Sequence, residues 1–221
     1  MTRVTDLMRT GMDCPMHEEI DGYWTGLIDT LRMTSRTAVA QVAGELYACY
    51  QRGGTVFVLG NGGSAATASH LACDLAKGTR DGGLPTFKVL SLTDNIPLLT
   101  AWSNDESYEC ALSEQLSAFI QPNDLVLAIS TSGNSPNVVG AVDLAQRTGA
   151  RTVALTGRTG GRLAAVADVL VRVPSDSIEQ VEDAHSAIAH TVCVALRSRI
   201  QADRSLPIPH DLPLEMDVVT D

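Results

Sequence analysis

Five short apolar runs punctuate the chain: Thr55–Gly60, Phe87–Leu92, Asp124–Ser130, Arg151–Gly157 and Val169–Pro174. They are rich in branched aliphatic residues and lack the strict polar alternation of a half-exposed strand, so each needs cover on both faces. A parallel sheet between two helical layers provides that cover. The stretches between the runs carry helical spacing, and the pattern predicts a doubly wound α/β domain. Before the first run, Leu27, Leu31, Ala38, Val42 and Leu46 mark one amphipathic helix over residues 21–51. After the last, Glu179–Ile200 reads as another long helix, with Ala187, Ile188, Val192, Val194 and Leu196 apolar. Both terminal helices are natural association surfaces. Residues 1–20 carry little pattern and are expected to be poorly ordered; 21–203 form the domain; 204–221 are an acidic tail with three prolines.

The chain has 221 residues, enough for one domain with a sizeable core at 44% apolar content. Its 16 basic against 26 acidic side chains give a net charge of −10. That balance argues against nucleic acid and anionic membrane as partners, since both need a positive face. Five scattered cysteines without a C-x-x-C pair predict reduced thiols. With neither a signal-like apolar segment at the start nor a run of 18 apolar residues, the expected location is cytoplasmic.

Two loops carry the candidate chemistry. The first run leads into Gly60-Asn61-Gly62-Gly63-Ser64, followed by helix formers with Ser64 placed as N-cap. Glycines admit a close ligand, and a helix start offers free N–H groups, so an anion is the expected guest. The spacing of a nucleotide-binding P-loop or dinucleotide fingerprint is absent. The third run ends in Ser130-Thr131-Ser132-Gly133-Asn134-Ser135-Pro136. In a doubly wound sheet both loops lie at the carboxyl ends of strands, where ligands bind. Hydroxyls and backbone amides there can hold a phosphate without a cation.

The segments GNGGSAATASHLACDL, TAWSNDES, LAISTSGNSPNVVGAV, ALTGRTGG and EDAHSAIAH resemble the sugar isomerase (SIS) domain family, and within it the bacterial phosphoheptose isomerases, over residues 25–200. The resemblance implies a flavodoxin-like three-layer α/β/α sandwich on a five-stranded parallel sheet. It implies a homotetramer with active sites at subunit contacts, and conversion of sedoheptulose 7-phosphate to D-glycero-D-manno-heptose 7-phosphate. It puts Asn61, Gly62, Gly63, Asn104, Asp105, Ser130, Thr131, Ser132 and Ser135 on substrate-contacting positions, and Ser64 and Glu182 join that set as candidates. His190 falls on the family's catalytic histidine and His70 on its first metal-binding histidine.

His70 and Asp74, four apart on one helix face, suit a shared metal or proton. Where the relatives have glutamate, this chain has the shorter Asp74; where they have glutamine, it has Glu182. The set His70, Asp74, Glu182 and His190 is a candidate zinc site. Eight residues of straight helix would nevertheless separate Glu182 from His190 by about 12 Å. Acid/base work without metal stays open, with Asp74 as base and His190 as partner. The alternatives to the isomerase are a non-catalytic sugar-phosphate-binding or scaffold protein, of the type that associates with a replication initiator, and an isomerase for another ketose phosphate.

Overall fold

The computed structural model describes residues 15–80 and 83–204. Two helices, α1 (Pro15–Met33) and α2 (Arg36–Gln51), precede the first strand, β1 (Thr55–Leu59). Then follow α3 (Gly63–Cys73), a π-helical turn (Asp74–Gly78), β2 (Lys88–Ser91), α4 (Ile96–Asp105), α5 (Ala111–Ser117) and β3 (Leu125–Ser130). The second half contains α6 (Pro136–Thr148), β4 (Arg151–Thr156), α7 (Leu163–Val166), β5 (Val169–Arg172) and α8 (Ile178–Arg204). All five predicted strands are present, within one or two residues of the expected bounds. They form a single parallel sheet in the order β2-β1-β3-β4-β5.

Every residue of β3 is buried, as a central strand covered on both faces must be. One apolar layer joins α2, α3 and α8 to the sheet through Val42, Leu46, Leu71, Ile188 and Val192. The other joins α5 and α6 to the opposite face through Leu112, Leu116, Val138 and Val142.

The expected single helix over 21–51 is two. It breaks at Thr34 and Ser35, where the Ser35 hydroxyl accepts from the Ala38 amide at 3.2 Å and caps α2. Helix α1 also begins earlier than expected, so 15–20 are helical; the rest of the predicted N-terminal segment, 1–14, and tail residues 205–221 lie outside the described residues. Among the described residues no helix is long and apolar enough to cross a membrane, and Cys49, Cys73, Cys110 and Cys193 are free thiols.

Candidate active site

Helices α3 and α8 lie against one another, and side chains meet at matching steps along both. The Glu182 carboxylate packs over Gly63, where a Cβ would collide with it. One turn on, the Thr67 and Ser186 hydroxyls are 3.3 Å apart. The next step brings His70 to His190, Nε2 to Nε2 at 3.4 Å, with the rings edge to face. Beyond it Cys193 is buried on α8, its thiol pushed up to about 12 by burial first and by the Asp74 charge second, and finally the Arg197 Nε donates to the Gly78 carbonyl. Steps of three and four residues keep one face of each helix in the seam.

The middle of this seam holds the chemistry. Asp74 Oδ2 is 3.8 Å from His70 Nε2 and 3.6 Å from His190 Nε2. Four donors about 2.0–2.1 Å from a tetrahedral zinc ion lie roughly 3.3–3.4 Å apart. Two imidazoles and a carboxylate at 3.4–3.8 Å therefore fit such an ion in both chemistry and spacing. Glu182 is not brought to this cluster. It stands in the second turn of the continuous helix α8, two turns before His190, and the rise of the helix holds it back along the seam. Its carboxylate lies instead by the start of α3, so the helix end that the sequence marks for an anion has an internal carboxylate beside it. Ser64 is not the N-cap of that helix. Gly62, at φ +54°, makes the turn two residues earlier and lets the helix start at Gly63, leaving Ser64 buried in the first turn.

Asn61 is held by residues that sequence reasoning missed. Its Oδ1 accepts from Tyr108 Oη at 2.8 Å and from Asn137 Nδ2 at 2.8 Å, while its Nδ2 donates to Asn137 Oδ1 at 3.0 Å. The Asn61 amide thus ties the glycine loop to the start of α6 and to the segment after α4. Asn137 was legible only as a polar residue inside an apolar helical stretch, and it is 2% exposed. Asn104 and Asp105 are the last two residues of α4; they are exposed and joined by a 2.9 Å bond from Asn104 Nδ2 to Asp105 Oδ1.

In the hydroxyl loop, Ser130 Oγ accepts from the Gly133 amide at 3.2 Å and lies 3.4 Å from Ser135 Oγ. Ser132 Oγ accepts from the Asn134 amide at 3.1 Å, and its side chain is exposed. Ser135 precedes α6, whose first residue is Pro136. The loop is braced by the turn after β4: Leu163 N donates to Gly133 O at 3.0 Å and Arg162 N to Asn134 Oδ1 at 2.9 Å. Gly133 and Gly160 approach so closely that a Cβ on Gly133 would strike the Gly160 backbone. Of the glycines in ALTGRTGG, Gly157 and Gly161 are explained by the hydroxyl loop, where a Cβ would strike the Thr131 carbonyl or the Ser132 and Gly133 backbone, while a Cβ on Gly160 would meet Ala164 and Arg172.

His185, one turn before the cluster but on the sheet side of α8, is fully buried, and neither ring nitrogen has a hydrogen-bond partner. Burial drives its pKa down to about 4, against a weaker upward pull from the Thr156 backbone. A neutral imidazole in that position is a core residue.

A carboxylate thus faces two imidazoles in the α3–α8 seam, while the glycine and hydroxyl loops follow the carboxyl ends of β1 and β3 in a parallel α/β sheet. The chain belongs to the SIS-domain family, whose pattern matches residues 22–157. It is 40% identical over 187 residues to a phosphoheptose isomerase of Akkermansia muciniphila, covering 84% of this chain and 98% of that one. A phosphoheptose isomerase of Rhodospirillum rubrum is 41% identical over 156 residues, covering 71% and 82%. Among solved structures, a phosphoheptose isomerase from Francisella tularensis superposes with a TM-score of 0.79 at 29% identity, covering 84% of this chain and 100% of that one. One from Neisseria gonorrhoeae gives 0.77 at 30%, covering 83% and 99%. These identities put the chain in the phosphoheptose isomerase branch of the family.

Proposed function

We propose that this protein acts as a phosphoheptose isomerase, interconverting sedoheptulose 7-phosphate and a D-glycero-D-heptose 7-phosphate through an enediolate. The observation that carries the reading is the meeting of Asp74 with His190 at 3.6 Å in a chain that spans 98% of a phosphoheptose isomerase. A scaffold or sensor has no need of a carboxylate between two imidazoles.

In this mechanism Asp74 takes the proton from C1 of the open-chain ketose while His190 delivers a proton to the C2 oxygen. The enediol so formed regains a proton at C2 and loses the one on its C1 oxygen, which leaves the aldehyde at C1. Ser130, Thr131, Ser132 and Ser135 hold the phosphate, assisted by the start of α6, and orient the remote end of the substrate. Asn104, Asp105 and Glu182 accept from sugar hydroxyls. Asn61, whose side chain is already engaged, contributes through its backbone beside Gly62, Gly63 and Ser64. The proton transfers use Asp74 and His190 free of metal; the same atoms of His70, Asp74 and His190 would otherwise hold a zinc ion, which would polarise the substrate oxygens and steady the enediolate in place of that acid/base pair.

The imidazoles of His70 and His190 are 59% and 55% exposed in the single chain, an open setting for a carbanion-like intermediate. Along α1, Met16, Ile20, Trp24, Ile28 and Leu31 form an exposed apolar stripe at steps of four, four, four and three. Both features support a homotetramer in which subunit contacts cover the stripe and enclose the site. The free thiols support a cytoplasmic protein. Purified protein given sedoheptulose 7-phosphate, with the aldose product resolved by NMR, tests the activity: product must form, and its absence at any enzyme concentration overturns the reading.

A further inference from the structure

The seam between α3 and α8 continues one turn past the acid/base cluster, and its last step is an arginine. Asp74 opens the π-helical turn that ends at Gly78. Carbonyls at the end of a helix lack partners within it and must find them elsewhere. Here the Leu75 carbonyl accepts from Thr79 Oγ1 at 2.7 Å, and the Lys77 carbonyl from the Arg80 amide at 3.3 Å. The Gly78 carbonyl is reached from another element, by Arg197 Nε of α8. Arg197 Nη2 lies 3.2 Å from the place a Cβ on Gly78 would take, and Asp74 Oδ1 lies 4.0 Å from that same place. Asp74 thus turns Oδ2 toward the imidazoles and has Oδ1 on the side where the guanidinium sits. Burial chiefly pushes the Cys193 thiol up, with smaller opposed effects of the Asp74 and Arg197 charges.

We infer that Arg197 is a positioning residue for the isomerisation: by clamping Gly78 it fixes the π-helical turn that carries Asp74, and so sets where the catalytic carboxylate stands against His190. The chemistry fits the task. A guanidinium donating to the last carbonyl of a helix satisfies that acceptor and complements the negative end of the helix dipole. Arg197 is also two turns beyond His190 on the same face of α8, so one rigid helix fixes both the imidazole and the clamp. Neither group of Arg197 is in contact with the cluster, and its effect passes through the backbone of the turn.

The inference rests on the proposed isomerase reading, and its test separates the two. Arg197→Met and Arg197→Lys are compared with wild type for kcat and KM on sedoheptulose 7-phosphate, for melting temperature, and for amide hydrogen exchange resolved over residues 75–80. Arg197→Met is expected to lower kcat by about tenfold, as a displacement under 1 Å does, with KM changed by less than about twofold. Amides 75–80 should exchange faster while the rest of the chain and the melting temperature hold. Arg197→Lys, which keeps a charged donor, should recover part of both effects. Unchanged kcat in Arg197→Met, or a uniform loss of protection along the whole chain, overturns the clamp. Should wild type itself be inactive, the isomerase reading falls, and equal exchange of amides 75–80 in wild type and Arg197→Met would overturn the clamp independently.

Discussion

His70 and His190 face each other Nε2 to Nε2 at 3.4 Å across 120 residues of sequence. The approach is produced by α3 and α8 packing in step, with Asp74 Oδ2 completing a triangle whose other sides are 3.6 and 3.8 Å. One turn earlier the Thr67 and Ser186 hydroxyls lie 3.3 Å apart in the same seam.

Because Oδ2 already stands at this distance from both rings, Asp74→Asn is expected to lower turnover by about 10²- to 10⁴-fold without unfolding, since the amide keeps the shape and loses the basicity. Asp74→Glu, which adds one methylene, should push the carboxylate into the imidazoles and lower turnover as well. Steady-state rates with circular dichroism on each variant check both. Full activity of Asp74→Asn in metal-free buffer would remove this residue from the mechanism.

Metal content distinguishes the three residues of the cluster from Glu182. After treatment with chelator and dialysis against zinc, wild type should retain the ion, while His70→Ala and Asp74→Asn should lose it. Glu182→Gln should retain it, because the Glu182 carboxylate lies two turns back over Gly63. Elemental analysis of the dialysed proteins reads the result.

The phosphate assignment rests on the hydroxyl loop. Ser130→Ala and Ser132→Ala should each cost about 1.5–3 kcal/mol of sugar-phosphate binding, roughly ten- to a hundredfold in affinity. Calorimetric titration should detect it. Ser130→Ala should also slightly destabilise the loop, because its hydroxyl accepts from the Gly133 amide.

The strands were legible because buried parallel strands leave unbroken apolar runs, and β3 at Leu125–Ser130 is buried throughout. The loops and both cluster histidines were legible through residue type and family resemblance. Two kinds of feature were not. The break at Ser35 hides inside an amphipathic pattern that continues in phase on both sides, so only the cap reveals it. Tyr108 and Asn137 meet Asn61 through tertiary packing that no local spacing encodes. The separation of Glu182 from His190, by contrast, was legible as the rise of a straight helix, and α8, regular from Ile178, holds the side chain to the α3 end of the seam.

His185 gives the fold a pH dependence. Its folded pKa, about 4, lies below the unfolded value near 6.5, so between these the unfolded chain takes up a proton that the native state refuses. Its contribution is fully present above about pH 6.5 and is lost as pH falls toward 4, by roughly 3 kcal/mol in all. Urea midpoints at pH 7 and pH 5 should show the fall, and His185→Leu should flatten it.

The most direct measurement follows carbon-bound hydrogen. Wild-type protein and sedoheptulose 7-phosphate in deuterated water should incorporate deuterium at C1 of the ketose and C2 of the aldose, because the proton lifted by Asp74 exchanges with solvent before it returns. Asp74→Asn and His190→Gln should suppress that incorporation while still binding the phosphorylated sugar. Binding of the ketose phosphate by wild type with no deuterium entering either carbon, with or without zinc, would contradict the isomerase mechanism and leave a sugar-phosphate-binding protein.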